Sequence, residues 1–215
     1  MGRRFTAPVG LRSFGSGRRF LSNTWSPVRK ALEGWTLGSI VTWQSGTPFY
    51  ITAGRSTFNN FDSGTGASGG NNPAQLIGMT FDEFKKHIGV FRTPVGVFFI
   101  DPALLNIQLS PAGTLASVRL KDGILGAPAP GTFGNFPLNS LYGPSFSQVD
   151  FSLAKRTYIK ERTNVEFRVI AFNAFNHENF AYSGNVFDSS NFGRITTDAS
   201  GAIPRQISFS IGVNW

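Results

Sequence analysis

The sequence predicts an all-β, antiparallel fold, and three observations carry that expectation. From Gln206 to Trp215 the odd positions Ile207, Phe209, Ile211, Val213 and Trp215 are apolar, while Gln206, Ser208, Ser210, Gly212 and Asn214 between them are not. Successive side chains of a strand point to opposite faces, so this run presents one apolar and one polar face. The same alternation recurs upstream, where Val149, Phe151 and Leu153 interleave with Gln148, Asp150 and Ser152. The third observation is compositional: 25 Gly and 12 Pro in 215 residues interrupt helices and supply turns.

The elements follow in chain order. A partial strand is expected between Phe5 and Phe14, weakened by Pro8, with Gly15 to Lys30 as a turn region. A longer strand runs from Trp35 to Phe49. Trp35, Leu37, Val41 and Trp43 share one face, with Ser39 interrupting, and Thr36, Gly38, Thr42 and Gln44 lie opposite, with Ile40 the exception. Residues 54–140 read as one long loop region, rich in Asn-Asn, Gly-Gly and Ala-Pro steps, with no second domain. Inside it Thr80 to Ile88 predicts a short helix, because Thr80 can cap it and Glu83 stands three residues on. The strand at 148–153 continues to a short polar turn at Tyr158 to Thr163. There follow Val165, Phe167, Val169 and Ala171, alternating with Glu166 and Arg168, so the two runs predict an antiparallel hairpin. A second long connection covers His177 to Pro204 before the terminal strand.

Composition removes several classes of function. The chain has no Cys and two His, which excludes disulfides, thiolate metal sites and multi-histidine centres. No cofactor or metal is expected. The longest apolar run, around Val95 to Ile100, is too short for a membrane-spanning helix, and the first residues lead into no signal-peptide core. The net charge is +8, with Arg3, Arg4, Arg12, Arg18, Arg19, Arg29 and Lys30 concentrated early. These alternate with Gly, Ser, Phe and Pro rather than lining one helical face, so nucleic acid is not the expected partner. Asp82, Glu83, Lys85, Lys86 and His87 suit the solvated face of a loop helix, nothing nearby resembles a nucleophile, and no enzymatic activity is expected. The formal dinucleotide fingerprint at Gly64, Gly66 and Gly69 follows no strand and opens no helix.

A soluble sandwich also alternates apolar with polar residues, and such a domain, binding carbohydrate or protein through its loops, stays open as a second reading. A basic nucleic-acid-binding module is a third. Three features favour a transmembrane barrel. The polar faces, with Gln148, Asp150, Ser152, Glu166, Arg168, Gln206, Ser208 and Ser210, suit a wet lumen. Trp35, Phe49, Tyr50, Phe172 and Phe175 stand toward strand ends, where interfacial aromatics belong. Short turns alternate with long loops, and if Trp215 ends on the periplasmic side, every long loop falls outside. The expectation is therefore an up-and-down transmembrane β-barrel segment of about five strands with long external loops. Five strands cannot close a barrel, since about eight is the smallest number that does, so a C-terminal piece of a larger protein is expected.

Particular runs carry a family resemblance. The segment from Gly34 to Phe49, GWTLGSIVTWQSGTPF, resembles a strand of TonB-dependent outer-membrane receptors of the Oar-like group. GTFGN from Gly131, NSLYGP from Asn139, FRVIAFNAFNH from Phe167, FGRI from Phe192 and PRQISF from Pro204 fit the same pattern in the same order. The resemblance implies residues 1–215 as the C-terminal part of the receptor's barrel domain, in the cell outer membrane and among its lipids. It implies import of a large or scarce solute, energised through TonB by way of an N-terminal region this chain does not contain. The segment is not expected to transport alone. Ile207, Phe209, Ile211, Val213 and Trp215 resemble the signal by which such barrels address the barrel-assembly machinery, which an unpaired edge strand can engage by strand addition.

Overall fold

The computed structural model describes residues 3–14, 33–55, 57, 72–159, 163–182 and 184–215. Five long strands form one antiparallel sheet: β1 (Arg4–Phe14), β2 (Trp35–Gln44), β11 (Phe146–Tyr158), β12 (Asn164–Phe172) and β16 (Gln206–Asn214). Their order across the sheet is β1-β2-β11-β12-β16, so neighbours in the chain's long-strand sequence are neighbours in space. Between β2 and β11 come β3 (Pro48–Phe49), β4 (Gln75–Leu76), helix α1 (Phe81–Lys85), β5 (Ile88–Thr93), β6 (Gly96–Ile100), β7 (Leu105–Leu109), β8 (Leu115–Leu120), β9 (Leu125–Gly126) and β10 (Leu141–Tyr142). Between β12 and β16 come β13 (Phe180–Ala181), β14 (Arg194–Ile195) and β15 (Thr197–Asp198).

The chain divides into two compact units. One holds the five long strands, through residues 3–44, 146–178 and 201–215; the other is made from residues 45–145 and 179–200. Within the sheet, Gln44 pairs with Phe146 and Phe172 with Gln206, so both long connections depart from the same end. The short turn between β11 and β12 lies at the opposite end, where Ile159 N–H donates to the Thr163 carbonyl at 2.9 Å. At the same end β2 begins: Gly34 adopts φ +77°, and a β-carbon there would stand 2.2 Å from the Arg156 carbonyl oxygen, so only glycine fits.

Pro8 does not prevent β1. The strand is at the edge of the described sheet, where a missing N–H breaks no inner ladder. Its register shifts between Val9 and Arg12, the irregularity that edge strands tolerate.

The second unit corrects the expectation of one long loop and no second domain. Residues 54–140 contain two hairpins, β5–β6 and β7–β8, and a short helix. The strand expected to run from Trp35 to Phe49 ends at Gln44, and Pro48–Phe49 pairs instead with Leu141–Tyr142. The approach is close: a β-carbon on Gly46 would lie 1.8 Å from the Gly143 carbonyl oxygen. Around these elements lies a closed hydrophobic core of Ile51, Phe84, Phe98, Ile100, Val118, Phe136 and Phe192 with their neighbours. Phe81 and Phe84 meet Phe136 edge-on, each at 5.6 Å between ring centres. Helix α1 begins where expected. Thr80 caps it, accepting from Glu83 N–H, while Glu83 accepts from Thr80 N–H at 2.8 Å.

Candidate functional site

The site is the five-stranded sheet itself, built by register. Gly38 stands opposite Ser152, Ser152 opposite Ile170 and Ile170 opposite Ser208. One step away, Leu37, Leu153, Val169 and Phe209 line up in the same manner. Directly opposed residues share a face, so Gln148, Asp150, Ser152, Glu166, Arg168, Gln206, Ser208 and Ser210 all lie on one side. Val41, Trp43, Val149, Phe151, Val165, Phe167, Ile207, Ile211 and Val213 lie on the other. Trp215, one step beyond the last paired residue, continues the apolar set.

That apolar face is uncovered. Ile207, Phe209, Ile211 and Val213 are 55, 67, 73 and 51% exposed. Phe5, Leu37, Trp43 and Phe151 are exposed as well, and Phe167 stacks on Phe209 across the strand pair on the open surface. Every buried apolar residue of the described chain belongs to the other unit. A sandwich requires these side chains to be sealed beneath a second sheet, which is the opposite of what is seen. Five strands of 9 to 13 residues are also long enough to cross a bilayer, since a tilted transmembrane strand needs about 9–11.

The polar face is organised by a charge cluster near its short-turn end. Glu166 accepts from Arg156 and from Arg168, each at 2.6 Å. Toward the other end, Asp150 accepts from Gln148 Nε2 at 3.0 Å and from the backbone N–H of Asn173 at 2.9 Å. Asp150 and Arg168 are therefore not cross-strand partners in the hairpin. Phe151 pairs with Ala171 and Arg168 with Ala154, which centres the turn on residue 161. Asp150 instead holds the chain as it leaves β12. There Asn173 takes φ +45° and its side chain donates to the carbonyls of His177 and Ile203. A hollow of about 630 Å³ on this sheet is lined by Pro8, Ile40, Asp150, Arg168, Ile170 and Phe172 among others.

The aromatics at the strand ends divide. Trp35 is on the apolar face at the short-turn end, where Lys155 Nζ lies 4.7 Å from its ring centre and 3.3 Å from the Glu33 carbonyl oxygen. Phe175 packs edge-on against Phe151 at 5.9 Å. Phe172 falls on the polar face, opposite Gln206. Phe49 and Tyr50 are not at a wall-strand end at all: they pack on the core of the other unit, with Phe49 against Phe99 and Tyr182. The assignment failed because β2 stops five residues before Phe49. Conversely Phe5 and Trp43, paired with each other on the apolar face, are further interfacial candidates. The signal was present: Trp43 follows Trp35 by eight residues, an even number, on the same face.

The remaining candidates are structural or lie elsewhere. His87 Nδ1 is 2.9 Å from an Asp101 carboxylate oxygen, and that hydrogen bond, with one from Ala103 N–H, holds the Asp101 carboxyl below its ordinary range. Burial pushes the Tyr182 phenol up, where it donates to the Gly184 carbonyl. Gly64, Gly66 and Gly69, the side chain of Arg12, and Arg18, Arg19, Arg29 and Lys30 lie outside the described residues. No described helix is long and apolar enough to cross a membrane, which leaves crossing by strands untouched.

Comparison with known proteins adds one finding. A family model described as an outer membrane beta barrel domain matches residues 5–208. No curated protein and no solved structure matches the chain.

Proposed function

Because this chain belongs to the outer membrane β-barrel domain family and lies in the outer membrane, we propose that it is a wall segment of a TonB-dependent receptor of the Oar-like group. In this reading the complete receptor imports a large or scarce solute. The pairing of a bare apolar face with a polar face whose ion cluster and amides need water supports the wall, and the resemblance of the runs from Gly34 to Phe49 and from Phe167 to His177 supports the receptor family. An open sheet edge in hydrocarbon leaves unsatisfied backbone groups that cost several kcal/mol each. The wall is therefore completed by further strands of the full-length receptor.

The polar face lines the lumen and the short turns face the periplasm. The connections that fold into the second unit stand outside, where a solute is first met. β16 pairs only with β12 among the described strands and keeps its apolar residues outward, the form in which an edge strand is offered to the barrel-assembly machinery. TonB acts through a region N-terminal to this chain. The reading is tested by mixing the purified full-length protein with the purified periplasmic part of TonB. A stable complex is expected, and failure to associate under conditions where a known receptor binds overturns the assignment to TonB-dependent import while leaving the barrel wall standing.

A further inference from the structure

Among the described side chains of the apolar face, Lys155 is a cation. On β11 the outward positions run Val149, Phe151, Leu153 and then Lys155, directly opposite Trp35 on one side and Phe167 on the other. A lysine ammonium is not stable in hydrocarbon, and the penalty falls toward zero at the interface. Here the ammonium lies 4.7 Å from the ring centre of Trp35 and 3.3 Å from the carbonyl oxygen of Glu33, two residues beyond Trp35 toward the short-turn end. Such a long side chain keeps its stem on apolar surface and its head in the polar layer.

A second pattern agrees. The row through Trp35 and Lys155 continues to Phe167 and Ile211, so Trp215 lies four residues further toward the short-turn end than that row. In a barrel the strands tilt by about 35–45°. With strands about 4.8 Å apart, a 40° tilt displaces the level of equal depth by about 4 Å per strand. Over the three steps from β2 to β16 that is about 12 Å, or roughly four residues at about 3.3 Å each. A tilt of this size therefore brings Trp35 and Trp215 to the same height although register separates them.

We propose that Trp35, Lys155 and Trp215 mark the periplasmic boundary of the hydrocarbon, with the Lys155 ammonium at the depth of the inner-leaflet phospholipid phosphates. The lipid headgroup is the partner this surface fits. Lys155 is a positioning residue that sets how deep β2 and β11 sit, and the stagger of the two tryptophans records the tilt. The inference rests on the barrel-wall reading and deepens it.

The test is depth-resolved quenching of tryptophan fluorescence by brominated phosphatidylcholines, with the full-length protein in vesicles and one tryptophan retained at a time. Trp35 alone and Trp215 alone are expected to be quenched most by the shallowest bromine positions, and to the same depth. A tryptophan placed by Val149→Trp, on the same face six residues from Lys155 and about 15 Å deeper at a 40° tilt, is expected to be quenched most by the deepest. Lys155→Met is expected to shift Trp35 toward the deeper quenchers, and Lys155→Arg to restore the shallow profile. Trp35 quenched as deeply as position 149, or Trp215 at a clearly different depth, overturns the proposal. No quenching at position 149 by any bromolipid overturns the barrel wall itself.

Discussion

The two compact units of this chain use the same apolar residues in opposite ways. In the unit made from the long connections, Phe84, Phe98, Phe136 and Phe192 are fully or almost fully buried. In the sheet, Phe5, Phe151 and Phe209 stand in the open, and among its described side chains no apolar one is buried. Each fully buried side chain of this size is worth about 1.5–3 kcal/mol when water is the alternative. A sheet that forgoes this gain on every strand is at equilibrium only where its surroundings are as apolar as its face. The comparison teaches that one unit folds for water and the other for lipid, and that the chain passes between them after Gln44, before Phe146, after Glu178 and before Gly201.

Substitutions sharpen or break this contrast. The largest effect is expected from Phe98→Ala, which empties a fully buried site and costs about 3–5 kcal/mol. Amide exchange should show lost protection confined to the second unit, with the β11–β12 ladder unchanged. Next is Ile211→Arg, midway between Ile207 and Trp215 on the apolar face, expected to cost about 2–4 kcal/mol in a bilayer. Ser208→Arg, on the other face opposite Ile170, should stay within about 0.5 kcal/mol. Equal costs in denaturant titrations from vesicles would break the contrast outright. Thr80→Ala removes the cap of α1 and should destabilise the second unit by about 1 kcal/mol.

The smallest effect is one of pH. The Asp101 carboxyl, held down by His87 and by Ala103 N–H, sits below the ordinary aspartate value of 3.8. A depressed folded-state value contributes stability that is complete above the unfolded value and is lost as pH falls through the folded one. The second unit should therefore weaken below about pH 4, and Asp101→Asn should flatten that part of the profile, read by near-ultraviolet circular dichroism.

The sequence was most legible where the pattern is local. Alternation along β16 and β11 assigns faces without any knowledge of partners, and the register places those residues on common faces. Alternation is blind to which residues pair, however. A hairpin centred on residue 159 and one centred on residue 161 differ by an even number, so both give the same faces while exchanging Asp150 for Ala154 opposite Arg168. The second unit escaped notice for a different reason. Several of its strands are two residues long, and Phe98, Phe99 and Ile100 are buried in succession, so no period can emerge. Phe49 and Tyr50 were drawn into the wall because the apolar character of β2 runs on past its last paired residue. Only the capping box, whose signal spans four residues, betrayed order there.

The claim on which the rest depends is that the odd-numbered face of β16 meets hydrocarbon. Nitroxide labels placed singly from residue 206 to residue 214 in the full-length protein in vesicles test it directly. Oxygen accessibility should rise at 207, 209, 211 and 213, with a water-soluble nickel relaxant favoured at the even positions between. A flat profile, or odd positions shielded from both reagents, would contradict a lipid-facing wall.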